Sequence, residues 1–459
     1  MSAPQKSLVT GLRSALVRRI DLSSSVQHRN IFSGLAFVSA FIVVAKIFGA
    51  LKEVAVAARY GTNPAVDAYV YIFNLISWPL AVWTGTLGVV LIPLFVRANR
   101  ERLAELVQFE REFFSFSVIT GIGIGILGAL SISILIFFSL SGLSAVTASY
   151  ARWITAPLAL IVPLGFASTL FATQLMVSRR HTNSLYEGIP ALCLLLAVIL
   201  FPDRTGKSLV FGTVAGFAVQ LAVLILSEPR LAKTISFSLR FASPIWKDVR
   251  RYSLIVVLSQ LLISVSGVVD QITVAHLSAN SNAILGYATR LLALFTGLGA
   301  TAIGRALLPV LSELHAGNQG KEHGVAKHWS WILFVAGAAI AGIGWFAAEP
   351  FVRIAFQRGA FSSLDTAQVA DVLQYCFLQL PFYFSGIVIG QLVASRAQYG
   401  IFLYANAIAL AVKILLNFLL VPIMGIKGTA LATACMYAVS FSALWMLVMA
   451  RPKLSQDRE

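Results

Sequence analysis

Acidic residues, cysteines and charge of either sign are scarce in this chain. Of its 459 residues, 19 are Asp or Glu, 3 are Cys, and all charged residues together make up 12%. Cys193, Cys376 and Cys435 are scattered through apolar segments without paired spacing, so neither a disulfide framework nor a cysteine metal centre is expected. The acidic residues form no cluster of the kind a membrane glycosyltransferase or polymerase needs for catalysis. No Walker-type nucleotide motif is present, which argues against an ATP-driven pump. His315, His323 and His328 fall in one polar stretch but lack ligand spacing such as HExxH, and a solvated loop is the expectation. Period-two alternation is missing, which argues against a β-barrel. The first thirty residues have no apolar core and no small-residue cleavage site, so they are read as a retained, basic, cytoplasmic segment. No cofactor and no metal are expected.

What is abundant is apolar sequence. Hydrophobic residues make up 58% of the chain and the mean hydropathy is +0.83, values that define a polytopic membrane protein. About twelve segments are each long enough to cross a hydrocarbon core of about 30 Å. Their spans are Phe32 to Leu51, Tyr69 to Val96, Phe113 to Leu140, Ile154 to Val177, Leu185 to Phe201 and Leu209 to Leu226 in the first half. In the second half they are Tyr252 to Val274, Ile284 to Leu311, Ile332 to Phe356, Val369 to Ala394, Ile401 to Val421 and Gly428 to Met449. The formal net charge of +16 does not indicate nucleic acid, because the Lys and Arg residues alternate with topology instead of forming one basic face. With the N-terminus inside, roughly three times as many Lys/Arg fall in inner loops as in outer ones, which predicts cytoplasmic N- and C-termini.

The two halves repeat each other. "GTLGVVLIPLFVRANRE" from Gly85 parallels "TAIGRALLPVLSELHAG" from Thr301, with Gly88 opposite Gly304 and Pro93 opposite Pro309. "KSLVFGTVAGFAVQLAVLIL" from Lys207 parallels "KGTALATACMYAVSFSALWML" from Lys427. The expectation is an all-α protein of two pseudo-symmetric six-helix lobes, related by an axis along the membrane normal, with the substrate site between them. The N-lobe is assigned to 31–226 and the C-lobe to 252–449. They are joined by a cytoplasmic linker, 227–251, and followed by a cytoplasmic tail, 450–459.

Charges inside the spans identify the candidate site. A lysine at bilayer depth costs about 2.5–3.5 kcal/mol, so such residues face a bundle interior or a watery cavity. Lys46 and Glu53 share one face of the first helix, Lys52 borders the same space about a third of a turn away, and Arg290 lies early in the eighth span with Asn74 opposite it in the repeat. This is a cationic cavity suited to phosphate, because arginine donates bidentately. Asp67 lies in the loop after the first helix, and Asp270 and Lys413 are secondary candidates. An acidic cavity would instead have indicated a cation-coupled drug antiporter.

"AKIFGALKEVAVAARYGTNPAVDAY", "GYATRL", "ALLPVLSEL", "AEPFVRIAFQRGAFSSLDTAQVADVL" and "LLNFLLVPIMGIKGTALATA" occur in an order that resembles the MurJ/MviN flippases of the MOP (multidrug/oligosaccharidyl-lipid/polysaccharide) exporter superfamily. The resemblance implies two six-helix lobes around a cation-lined cavity. It also implies a polyprenyl-pyrophosphate-linked oligosaccharide as cargo, flipped across the bacterial cytoplasmic membrane by alternating access. Lys46, Lys52 and Arg290 match the family's cavity cations, and Glu53 and Asp67 match its acidic positions. Two features depart from the lipid II members: Pro79, Leu80 and Thr84 replace an arginine pair and a glutamate, and the sequence ends directly after the twelfth span. These departures favour a precursor of an exported or surface polysaccharide, handled with membrane lipids and polysaccharide assembly proteins as partners. Lipid II for peptidoglycan is the alternative.

Overall fold

The computed structural model describes residues 43–178, 182–234, 236–316, 322–396 and 398–449. The expected N-terminal segment and C-terminal tail lie outside the described residues. The regular structure among the described residues is all helical. Its first half comprises α1 (43–60), α2 (Pro64–Glu101), α3 (Leu103–Phe137), α4 (Ala145–Ala159), α5 (Ile161–Val177), α6 (Asn183–Tyr186), α7 (Ile189–Leu200) and α8 (Lys207–Ser227). Then α9 (Pro229–Thr234) and an irregular stretch lead to α10 (Ile245–Ala275), α11 (Ser281–Ala316), α12 (Glu322–Phe356), α13 (Ser363–Phe377), α14 (Leu380–Ser395), α15 (Tyr399–Met424) and α16 (Ile426–Met449).

Nine helices of the described chain are long and apolar enough to cross a membrane, ten if the bent pair α13 and α14 counts as one span. Of the other two expected spans, the fifth is α7, whose 12 residues reach only about 18 Å. The first is described only from residue 43. It continues nine residues beyond its expected end at Leu51, to Tyr60, because the charged residues after Leu51 turn inward instead of leaving the helix. Large apolar side chains cover the outside: Phe346 is 86% exposed and Ile423 82%, an arrangement stable only against lipid.

Local sequence sets the breaks, and the fourth span of each half is broken in its middle. In the first, Pro157 precedes the interruption at Leu160. In the second, α13 and α14 meet at 42°, where Pro381 supplies no N–H to continue the ladder. The Gln379 amide, 2.9 Å from the Cys376 carbonyl, satisfies one freed acceptor there. Close helix contacts rely on small residues. A Cβ on Gly216 of α8 would lie 2.7 Å from Cα of Pro190 on α7, so only glycine allows that approach. Trp83 of α2 stacks on Phe166 of α5 with ring centroids 4.3 Å apart.

α2 is the central helix. It packs on α3, α4 and α5 in its own half and on α10 and α11 of the other. The irregular stretch before α10 is fastened to the first half. Glu112 of α3, 2% exposed, accepts from the backbone amides of Ala242 and Ser243 and, at 2.7 Å, from the Trp246 indole. His323 and His328 do not occupy a solvated loop, as their polar surroundings had indicated. They fall in the first turns of α12, where His323 meets Arg396, the residue that follows α14.

Candidate functional site

Helix α1 presents Lys46 and Glu53 towards the opposite half, where α11 presents Arg290 towards α1, and Lys52 stands beside Glu53. Glu53 joins them: its Oε1 is 2.6 Å from Lys52 Nζ and its Oε2 is 2.6 Å from Arg290 Nη1. Arg290 also approaches the face of Tyr287, one turn earlier, at 5.7 Å from the ring centroid. Lys46 is exposed, and its ammonium lies against α11, 3.2 Å from where a Cβ on Gly297 would stand. It also attracts Glu187, at the end of α6. Lys46, Lys52 and Arg290 therefore set three cations against the two carboxylates Glu53 and Glu187, a net positive group. The side chains of Lys52 and Arg290 are each 23% exposed, so their remaining donors are accessible to an anion.

Lys52 also stands at the wall of a cavity of about 600 Å³ within the first half, between α1, α2, α5, α7 and α8. Its walls combine hydroxyls, amides and rings with the Glu187 carboxylate. Ser168, Thr169 and Thr173 donate to the carbonyls of Leu164, Gly165 and Thr169 at 2.7, 2.9 and 2.7 Å, which leaves their oxygen lone pairs as acceptors. Tyr69 and Phe73, stacked at 5.7 Å, form part of the lining. Leu80 and Thr84 also face this space, and Pro79 is half-buried beside them. The departures noted in the sequence thus make this stretch of cavity wall neutral.

The remaining candidates are placed elsewhere. Asp67 is 2% exposed and is not at the cationic group. Its Oδ1 accepts the Ala283 backbone amide at 2.9 Å, so it serves the α11 N-terminus, where unpaired amides and the helix dipole favour a carboxylate. Asn74 is half-buried two turns further along α2. Asp270 and Lys413 pair with each other at 2.7 Å, between α10 and α15.

At the end of the bundle next to Asp67, the two halves are sealed together. The Ala360 amide donates to the Ala58 carbonyl at 2.7 Å, the Tyr287 hydroxyl to the Gly61 carbonyl at 2.8 Å, and the Thr62 hydroxyl to the Asp365 carboxylate. Gly61 and Gly359 have φ of +58° and +61°. A Cβ on Gly359 would lie 2.1 Å from the Ala58 oxygen, and one on Gly61 would lie 2.5 Å from the Ala360 oxygen. Only glycine fits at either position. Sequence reasoning did not assign Tyr287, Gly359, Ala360 or Asp365 to this seal. The "QRGAF" and "DT" motifs marked the segment, but the contact joins residues some 300 positions apart.

Two helical halves sealed at one end, with a cationic group and a polar cavity between and within them, have the architecture of a polytopic membrane transporter. The solved structures agree on the fold. A structure described as lipid II flippase MurJ in an inward closed conformation matches with TM-score 0.77 at 19% identity, over 90% of this chain and 87% of that one. An inward-facing multidrug resistance MATE transporter of the MOP superfamily matches with TM-score 0.69 at 15% identity, over 89% of this chain and 94% of that one. In sequence, the model of the family "Lipid II flippase MurJ" matches residues 56–458. The chain belongs to the MurJ family. A probable lipid II flippase MurJ of Rhizobium tropici is 25% identical over 87% of this chain and 78% of that protein. The lipid II flippase MurJ of Burkholderia cenocepacia is 22% identical over 88% of this chain and 81% of that protein.

Proposed function

We propose that this chain flips lipid II, the polyprenyl-pyrophosphate-linked peptidoglycan precursor, across the bacterial cytoplasmic membrane, with both termini on the cytoplasmic side. The observation that carries the reading is the net positive group of Lys46, Lys52 and Arg290 set against Glu53 and Glu187, in a chain whose family match runs from 56 to 458. A diphosphate cannot enter hydrocarbon unaided. Lys46, Lys52 and Arg290 supply compensating charge, and the guanidinium donors that Glu53 does not use are free to fork onto phosphate oxygens. The hydroxyl-lined cavity beside Lys52 receives the sugar headgroup, while the polyprenyl tail stays in lipid. The lobes rock as the seal at Gly61 and Gly359 parts. An inside-negative potential favours outward movement of the anion by about 2.3 kcal/mol per charge per 100 mV of fully crossed field.

The relatives support lipid II over the surface-polysaccharide precursor favoured by Pro79, Leu80 and Thr84. That second reading keeps one observation: Leu80 and Thr84 line the headgroup cavity, so their neutrality bears on which glycan fits. A drug-antiporter reading fits the charge of the group poorly. The test is complementation in a bacterium depleted of its lipid II flippase. Restored cell-wall synthesis supports lipid II. Failure to restore it, together with loss of a surface polysaccharide and intact peptidoglycan after deletion in the native host, supports the second reading.

A further inference from the structure

The second half contains a buried charge that the proposed route does not use. Lys413 of α15 is 0% exposed. Its three ammonium donors have three acceptors: the Ser266 carbonyl at 3.1 Å, the Ser266 hydroxyl at 2.5 Å and Asp270 Oδ2 at 2.7 Å. Ser266 and Asp270 are one turn apart on α10, so both meet α15. Asn417, one turn past Lys413, and Thr433 of α16 lie beside the Asp270 carboxylate.

The surroundings hold more oxygen than one ammonium uses. Asp270 Oδ1, Thr429 Oγ1 and both Oδ1 and Nδ2 of Asn417 are buried without a hydrogen-bond partner, with Asn417 3% exposed and Thr429 0% exposed. A carboxylate, an amide oxygen, hydroxyls and a backbone carbonyl, supplied by three helices, form the donor set of a hard cation. Asp270 contributes one negative charge. A monovalent ion therefore neutralises the site, whereas a divalent one leaves charge buried. An ion pair needed only to hold helices together is often replaceable by apolar packing and does not require this surplus of buried acceptors.

We propose that Lys413 is a tethered cation filling an oxygen-lined monovalent-cation site of the C-terminal half, so that this chain completes its transport cycle without an external alkali ion. The Lys413 side chain occupies the position a free ion would take between α10, α15 and α16. Removing the ammonium exposes the same oxygens, with Asp270 uncompensated, to sodium or a small alkylammonium.

The experiment compares the full-length protein with Lys413→Ala and Lys413→Asn in sodium chloride, methylammonium chloride and choline chloride at equal ionic strength. It reads thermal stability and, separately, precursor export, and the stability readout holds whatever lipid is carried. The wild type is expected to have the same Tm in all three salts. Both variants are expected to have a depressed Tm and about tenfold lower transport in choline, and to recover in sodium or methylammonium, as mass action requires of a ligand bound only by the folded state. Should Lys413→Ala fold only when prepared in sodium or methylammonium, that also supports the site. The proposal is overturned by variants that behave alike in the three salts, whether stable or unrecoverable in all of them, or by a wild type that itself requires sodium.

Discussion

Glu53 Oε2 stands 2.6 Å from Arg290 Nη1, which fastens α1 to α11 through an ion pair whose side chains are 12% and 23% exposed. A phosphate that reaches Arg290 competes with Glu53 for one guanidinium. The ion pair that joins the halves and the proposed cargo site therefore share a residue.

Arg290→Ala and Lys46→Ala are each expected to lower export by at least about tenfold, roughly 1.4 kcal/mol of lost interaction, with the amount of folded protein unchanged. Lys46→Arg keeps substantial activity, because charge is what the diphosphate needs. Adding Glu53→Ala to Arg290→Ala adds little, since residues in direct contact are non-additive. Accumulation of lipid-linked precursor on the cytoplasmic face is the readout.

The seal must open in each cycle. Cysteines at Thr62 and Asp365, whose side chains are bonded in this state, are expected to cross-link in a background lacking Cys193, Cys376 and Cys435. The cross-linked protein stops exporting, and reductant restores it. Gly359→Ala is expected to hinder closure, because its Cβ would stand 2.1 Å from the Ala58 oxygen. The checks are cross-linking yield and export rate, and full export by the oxidised pair would show that the seal does not move.

Asp67→Ala removes the carboxylate that accepts from Ala283 and is expected to cost about 0.5–2 kcal/mol, the range for losing a helix cap. Asp67→Asn keeps an acceptor and costs less. Thermal unfolding of the two variants measures the difference, and equal losses would show that the carboxylate acts otherwise.

The helices were largely legible in the sequence because lipid demands long apolar runs, and the repeat of Gly88 at Gly304 gave the correspondence between α2 and α11. α7 was expected to run from Leu185 to Phe201, but Gly188 and Pro190 restrict it to the stretch from Ile189 to Leu200. The charges at the site were legible one by one, since a charge in an apolar run is conspicuous. Their partners were not. Asp67 reads as a cavity acid until the fold places Ala283 next to it, and Asp270 and Lys413 read as separate secondary candidates until the structure pairs them. Periodicity along one helix reports which residues share a face, not which helix that face meets.

Filling the cavity beside Lys52 tests the headgroup assignment. Thr84→Trp, which projects into the lined space, is expected to reduce export by about tenfold or more while leaving the fold intact. Gly128→Ala is expected to leave export unchanged, because a Cβ there meets nothing within 4 Å. Export and the thermal unfolding midpoint, measured together on both variants, separate blockage from misfolding.

The most direct measurement is the rate at which purified full-length protein in vesicles moves fluorescent lipid II between leaflets, followed by its accessibility to an added membrane-impermeant quencher. The account predicts that the wild type accelerates movement well above protein-free vesicles and that Arg290→Ala loses at least about nine-tenths of that rate. Equal rates for wild type and Arg290→Ala, or no acceleration by a folded wild type, would contradict it.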